Sequence, residues 1–126
     1  MKTILVDAVF CFVTDKKINQ ELYTLLEQYP NRKIILTGAN DGQMVEFGLN
    51  DMPYEVFTLK HNPEKTDPKY FEAMLKHLGL SKDDVLYFEH NIDAVKSAQS
   101  VGIVSHFYDE NKKDLVALKK FLDENL

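Results

Sequence analysis

The sequence has one cysteine, Cys11, one arginine, Arg32, and no hydrophobic run long enough to cross a bilayer. A single cysteine excludes an internal disulfide and suits a reducing compartment, and its place in an apolar run is typical of a small core residue. The apolar stretch over residues 2–13 is interrupted by Asp7 and lacks the small-residue site at which signal peptides are cleaved. We therefore expect a cytoplasmic protein that does not bind a membrane.

Clustered positive charge is also lacking. The 126 residues include 20 acidic and 15 basic side chains, which gives a net charge of −5. Lysine pairs such as Lys112-Lys113 alternate with acids, as on a solvated helix face. Because nonspecific nucleic-acid binders neutralise phosphates with clustered basic residues, this charge argues against a nucleic-acid partner. With 44% hydrophobic and 28% charged residues and no repeats, residues 1–126 are predicted to form one globular domain.

Short apolar runs alternate with amphipathic stretches along the whole chain, which is typical of βα units around a parallel sheet. The predicted strands are Thr3 to Val9, Lys33 to Thr37, Tyr54 to Leu59, Asp84 to Phe88 and Ile103 to Tyr108. Helices are predicted between them, the first capped by Thr14 or Asp15 and the last covering Asp114 to Leu126. The pattern predicts a three-layer α/β fold with five parallel strands.

Polar residues follow several of these strands. In open parallel sheets, ligands bind beyond the carboxyl ends of the strands. This rule selects Asp7, the pair Thr37-Gly38 and the run Glu89-His90-Asn91, and it leaves room for Lys65 before a helix. A buried carboxylate such as that of Asp7 must either face a cleft or be paired, and the sequence leaves both open.

These segments resemble the four motifs of the haloacid dehalogenase (HAD) superfamily, in the same order. A strand ends in Asp7-Ala8-Val9 where the family has Asp-x-Asp, and a second ends in Thr37-Gly38. Lys65-Thr66-Asp67-Pro68 resembles the Lys motif, and Glu89-His90-Asn91 resembles the acidic fourth motif. The resemblance implies a HAD-like Rossmannoid α/β/α sandwich. Short connections after the first and third strands imply that the cap domain of most HAD enzymes is absent.

The resemblance also implies a mechanism and roles for its residues. Asp7 matches the nucleophile that forms an aspartyl-phosphate, and Lys65 matches the cation beside it. Thr37, Gly38, Lys65 and Asn91 would bind the substrate, while Asp7 and Glu89 would hold Mg²⁺. Nearby positive charge is needed because a carboxylate must attack a phosphoryl dianion.

Two positions depart from the family. Val9 stands where the family has its general acid/base, a function typically worth ~10²–10⁴ in rate. His90 stands where a metal-binding acid is expected, and Mg²⁺ prefers oxygen ligands. We therefore predict no cofactor or only weakly bound Mg²⁺. We also predict that His90, together with Lys65, substitutes electrostatically for the cation.

Three functions follow from these observations. The first is a catalytically impaired pseudo-phosphatase that binds a small anionic or phosphorylated ligand, or a protein partner. The second is an active Mg²⁺-dependent phosphohydrolase with Asp7 as nucleophile and Glu89 as metal ligand. The third and weakest is metal-independent substitution at carbon, as in the dehalogenase branch, which Asp7-Ala8 and Asn91 resemble. Arg32, the only arginine, is not a convincing partner for the substrate carboxylate of that branch.

Structural roles also explain several of these residues. Asp7 and Lys65 could form a buried ion pair, and Thr37 could bond only to the turn that follows it. His61, His77 and His106 have no partners at ligand spacing and are predicted to be surface or interface residues. Asp93 is predicted to stabilise the first turn of its helix.

Overall fold

The computed structural model describes residues 1–126, which form a central parallel sheet, a separate β-hairpin and five α-helices. The strands are β1 (Thr3–Asp7), β2 (Val13–Thr14), β3 (Lys17–Ile18), β4 (Lys33–Thr37), β5 (Glu55–Thr58), β6 (Val85–Glu89) and β7 (Val104–Phe107). The helices are α1 (Gln20–Leu26), α2 (Asp41–Glu46), α3 (Pro68–Leu78), α4 (Ile92–Ser100) and α5 (Leu115–Asn125). A short 3₁₀ turn over Lys82–Asp84 precedes β6.

The central sheet has the order β5-β4-β1-β6-β7, and all of its neighbouring strands are parallel. Strand β1 lies in the middle, so β1, β4 and β6 are covered on both faces and every residue in them is buried. This explains why their sequences are continuous apolar runs rather than alternating ones. The predicted three-layer α/β fold with five parallel strands is confirmed.

Two apolar clusters hold the layers together. On one face of the sheet, Ile4 and Val6 of β1 share a cluster with Leu22 of α1 and Leu118 of α5. On the other face, Leu5 of β1 shares a cluster with residues of α3 and α4 such as Tyr70, Phe71 and Ala98. Alternate side chains of β1 therefore point into opposite layers, as the pleat of a strand requires.

The predicted first helix is wrong at its N-terminus. Residues 13–18 form the hairpin β2–β3, in which Val13 pairs with Ile18 and the turn residues Asp15 and Lys16 have φ of 52° and 64°. Two positive φ values are what a two-residue hairpin turn requires. Helix α1 begins later, at Gln20, where the Asn19 side chain accepts a hydrogen bond from the Leu22 amide at 3.2 Å.

Other predicted boundaries shift by a few residues. Strand β1 ends at Asp7 rather than Val9, which makes only an isolated bridge to Val13. Helix α3 ends as predicted, at Gly79 in the left-handed conformation with φ of 67°. No domain is inserted after β1 or between β5 and α3, so the fold has no cap. None of the helices combines the length and the apolar character that a bilayer crossing would need.

Candidate functional site

The carboxyl ends of three adjacent strands bring Asp7, Thr37 and Glu89 to one edge of the sheet. Asp7 ends β1, and its neighbours β4 and β6 end in Thr37 and Glu89. All three residues are buried, with 2%, 4% and 1% of their surface exposed. Buried polar groups of this kind need partners, because leaving them without hydrogen bonds costs free energy.

Lys65 supplies the first partner. It lies in the loop between β5 and α3, and its Nζ is 2.6 Å from Asp7 Oδ1 and 2.9 Å from Glu89 Oε1. Burial opposes its charge, but the carboxylates of Asp7 and Glu89 outweigh burial and hold the pKa of Lys65 above its ordinary value. One ammonium group therefore bridges the ends of two neighbouring strands.

His90 supplies the second partner, on the opposite side of the same carboxylates. Its Nδ1 hydrogen-bonds Asp7 Oδ2 and lies 3.0 Å from Glu89 Oε2. Burial works against protonation, but the hydrogen bonds and charges of these two acids outweigh it and raise the pKa of His90 to about 10. A pKa of about 10 favours the protonated imidazolium ring at neutral pH, so His90 adds a second positive charge beside the Lys65 ammonium.

These surroundings shift the pKa values of the two carboxylates in opposite directions. Burial and the neighbouring Glu89 charge raise the pKa of Asp7, in spite of Lys65 and His90. Glu89 is also disfavoured by burial, but the Lys65 charge and hydrogen bonds from its neighbours, including the Tyr87 hydroxyl, lower its pKa. Glu89 Oε2 also lies 3.3 Å from the Asn91 amide, so every oxygen of the two acids has a hydrogen-bond partner.

The other predicted binding residues surround this group and also have local structural roles. Thr37 Oγ1 accepts a hydrogen bond from the Ala39 amide at 3.1 Å, so its hydroxyl stabilises the turn after β4. Asn91 caps α4, its Oδ1 accepting from the Asp93 amide at 2.9 Å. Gly38, Thr37 and Asn91 all line a cavity of about 220 Å³ together with Asp7, Lys65 and His90.

Val9 and Cys11 lie near Asp7, and neither is a carboxylic acid that could serve as the general acid/base. Val9 lines the cavity with an apolar side chain. Cys11 is fully buried in the core, as predicted, and burial followed by the charges of Asp7 and Glu89 raises the pKa of its thiol. The structure therefore places no carboxylic acid at position 9 and only an un-ionised thiol nearby.

His61 is exposed at the surface, as predicted, and it also lines the cavity, a position that no sequence pattern indicated. Its Nδ1 is 3.0 Å from Glu64 Oε2, and its Nε2 bonds Gln43 Oε1 at the start of α2. The loop that carries it has positive φ at Lys60 and His61 and returns the chain towards β4. The other two histidines lie elsewhere: His77 contacts Phe57, and His106 stacks on Phe121.

The residues present fit Mg²⁺ poorly. Mg²⁺ demands an octahedral set of hard oxygen ligands, whereas each oxygen of Asp7 and Glu89 is already bonded to Lys65, His90 or another donor. Asp7, Cys11 and His90 do place one ligand atom each within 4.8 Å of one another. That set mixes oxygen, sulfur and nitrogen, which are ligands typical of Zn²⁺ rather than Mg²⁺.

No protein-family model matches the sequence, and no curated protein matches it. Solved structures are nevertheless similar in fold. A HAD family enzyme from Bacteroides thetaiotaomicron, solved as an aspartate-to-alanine mutant with magnesium and inorganic phosphate, superposes with a TM-score of 0.68 and 13% identity over 85% of this chain and 93% of its own.

Two further solved structures are also similar in fold. An uncharacterized protein from Corynebacterium glutamicum has a TM-score of 0.65 and 16% identity, over 98% of this chain and 96% of its own. The core domain of a candidate phosphoglycolate phosphatase from Streptococcus pneumoniae has a TM-score of 0.62 and 15% identity, over 97% and 95% of the two chains. At these identities the similarity establishes the fold, and the chain has the HAD-like fold, without a cap.

Proposed function

We propose that this protein binds a compact oxyanion, such as the phosphoryl group of a small ligand, and does not hydrolyse it with Mg²⁺. The observation that carries the proposal is the position of His90, whose Nδ1 contacts both Asp7 and Glu89. The HAD resemblance implies a metal-binding acid at this position, and His90 supplies a positive charge there instead. With Lys65 on the other side, the carboxylates are neutralised by side chains alone.

Groups around the cavity support an oxyanion ligand. Lys65 is a cation, and the Thr37 hydroxyl and the Asn91 side-chain amide both carry N–H or O–H donors at the cavity wall. Asp7 and Glu89 beneath them are already paired with Lys65 and His90, so a bound oxyanion would not meet these two carboxylates without compensating charge. The fold also supports an oxyanion as the class of ligand, because a similar structure holds inorganic phosphate together with magnesium.

The apolar side chain of Val9 supports impaired turnover. Proton transfer to a leaving oxygen requires an acid within hydrogen-bond reach, and valine has none to give. The acid/base step is typically worth ~10²–10⁴ in rate, which corresponds to about 3–5 kcal/mol of activation free energy. Without that group, only a ligand with a good leaving group could be cleaved at a useful rate.

A magnesium titration tests the proposal. We expect millimolar Mg²⁺ to leave the melting temperature of the wild-type protein unchanged. The double variant Val9→Asp/His90→Asp restores two oxygen donors and should gain a Mg²⁺-dependent rise in melting temperature. A rise in the wild type that disappears in Asp7→Asn would contradict the proposal, because it would mean that Asp7 already binds the metal.

The second candidate is a Mg²⁺-dependent phosphohydrolase that uses Asp7 as nucleophile. The 2.6 Å contact between Asp7 and Lys65 favours it, since this pairing would position the carboxylate for attack. Acetyl phosphate and an activated aryl phosphate should be assayed with and without Mg²⁺, for the wild type and Asp7→Asn. Turnover that requires both Asp7 and Mg²⁺ would support this candidate over the first.

The two remaining alternatives have less support. A protein partner is compatible with a site that no cap domain covers, and size-exclusion chromatography with pull-down of the full chain would detect one. The dehalogenase-like alternative needs a cation for the substrate carboxylate, but Arg32 pairs with Glu55 at 2.8 Å at the amino end of the sheet, away from the cavity. Release of halide from a 2-haloacid would revive that alternative.

A further inference from the structure

Phe10, three residues after Asp7, is strained and exposed at the same time. Its φ is 72°, and 52% of its surface is accessible. Left-handed backbone is uncommon for any residue other than glycine, and rarer still for a bulky one. The chain holds it there through the hydrogen bond from the Phe10 amide to the Val13 carbonyl at 2.9 Å. Strain of this kind gathers at functional sites, where surrounding structure maintains it.

The Phe10 ring lies between His90, which lines the central cavity, and a second cavity. Its edge meets His90, with ring centroids 5.3 Å apart and an interplanar angle of 68°. It also lines a second cavity of about 240 Å³, which we call the side cleft. The side cleft is formed mainly by the apolar side chains of Val9, Phe10, Val13 and Phe47, with Asp15, Lys16 and Glu46 completing its wall.

The side cleft adjoins the central cavity that contains Asp7 and Lys65. Val9 and Phe47 line both of them. Each volume alone is smaller than the ~300–1,000 Å³ typical of small-molecule sites, whereas the two joined reach that range. The two cavities are therefore adjacent, and a ligand whose anionic group lies beside Lys65 would meet apolar surroundings where it crosses the shared wall at Val9 and Phe47.

We propose that the ligand has two parts, a compact oxyanion held in the central cavity and an aromatic group that binds in the side cleft against Phe10 and Phe47. This inference rests on the proposed oxyanion site and specifies the class of ligand. The apolar side chain of Val9 then favours binding, since an acid at this position would place a charge between the oxyanion and the aromatic group of the ligand. The exposed ring of Phe10 supplies the edge-to-face or stacked contact that aromatic groups prefer.

Phosphonates test the inference because they resemble phosphate esters but have a P–C bond that a phosphatase does not hydrolyse. We would titrate the full chain with methylphosphonate and phenylphosphonate, by calorimetry and by amide chemical shifts. The phenyl compound is expected to bind about tenfold more tightly, a change of the size that burying one ring against aromatic partners produces. Equal affinities for the two compounds would overturn the inference and leave the oxyanion site intact.

Variants connect that preference to Phe10. Phe10→Ala should bring the affinities for the phenyl and methyl compounds to the same value, while Phe10→Tyr, which keeps the ring, should retain the preference for the phenyl compound. Phe107, which is 43% exposed on the edge strand β7, provides the matched control: Phe107→Ala should keep the preference. A preference that survives Phe10→Ala would contradict the inference.

Two other results separate the remaining explanations. If neither phosphonate nor inorganic phosphate binds, the proposed oxyanion site is wrong and the inference falls with it. If sedimentation velocity shows a wild-type dimer that Phe10→Ala converts to a monomer, the side cleft is an interface between two copies of the chain. That second result would overturn the ligand assignment, whereas a monomer at all concentrations supports it.

Discussion

The central cavity and the side cleft share a wall at Val9 and Phe47 but are built in opposite ways. In the central cavity Asp7 and Glu89 are buried, and both are paired with Lys65 and His90. In the side cleft the apolar group Phe10 is half exposed, and its backbone is strained. The charged groups of the central cavity thus have partners within the chain, whereas the side cleft presents an exposed aromatic ring that a bound ligand would cover.

Removing Lys65 should be the most damaging way to disturb the central cavity. Lys65→Met keeps the length of the side chain but leaves Asp7 and Glu89 with one cation between them, and breaking a buried ion pair typically costs about 3–5 kcal/mol. Urea denaturation should therefore show a loss of this size. Lys60→Met is the control, because Lys60 pairs with Asp41 at the exposed surface and should change stability by less than about 1 kcal/mol. Equal effects for the two variants would contradict the structure of the site.

Removing the His90 imidazole should have a smaller effect. His90→Asn takes away a charged donor from Asp7 and Glu89, and hydrogen bonds to charged groups contribute about 1.5–3 kcal/mol each. We expect a loss within that range at pH 7, measured by urea denaturation. His77→Asn, at a histidine that contacts only Phe57 among the rings described, should cost less.

The contribution of His90 should also depend on pH. Because its pKa is raised to about 10 in the folded protein and is about 6.5 when unfolded, its stabilising effect is fully present below pH 6.5. The effect should decline as the pH rises and be lost above about 10. The difference in unfolding free energy between wild type and His90→Asn should therefore shrink from pH 6 to pH 10. A constant difference would mean that His90 is neutral in the folded protein.

The smallest expected effect is at Phe10, in the side cleft. Glycine tolerates positive φ and alanine does not, and the penalty for a residue with a Cβ is about 1–2 kcal/mol. Phe10→Gly should therefore be about 1 kcal/mol more stable than Phe10→Ala, the reverse of the usual order. Thermal unfolding of the two variants side by side measures this difference. An alanine variant as stable as the glycine variant would show that residue 10 does not hold the left-handed conformation.

The sequence predicted the sheet well because β1, β4 and β6 are buried on both faces and must be apolar throughout. The prediction was wrong over residues 13–18, because Thr14 and Asp15 resemble helix caps but lie in a hairpin. The hairpin turn there is Asp15-Lys16 rather than the Asn-Gly or Asp-Gly pair that such turns favour, so the local signal was weak.

Some residues of the site could be predicted from the sequence, and others could not. Asp7, Thr37 and Glu89 could be brought together from the rule that parallel strands end at one edge. His61 could not, because its place at the cavity depends on a loop with two consecutive residues at positive φ, Lys60 and His61. Phe10 was missed for a related reason, since apolar residues near a buried strand are expected in the core.

The buried thiol of Cys11 offers a way to measure how often the segment after β1 opens. It lies in the core beside Asp7 and is the only thiol in the chain, so one thiol reagent labels one atom. A reagent can reach it only when the segment after β1 moves away, and the labelling rate then reports how often that happens. Ligands that bind across Val9 should slow the labelling, so the labelling rate would report how binding restrains the segment after β1.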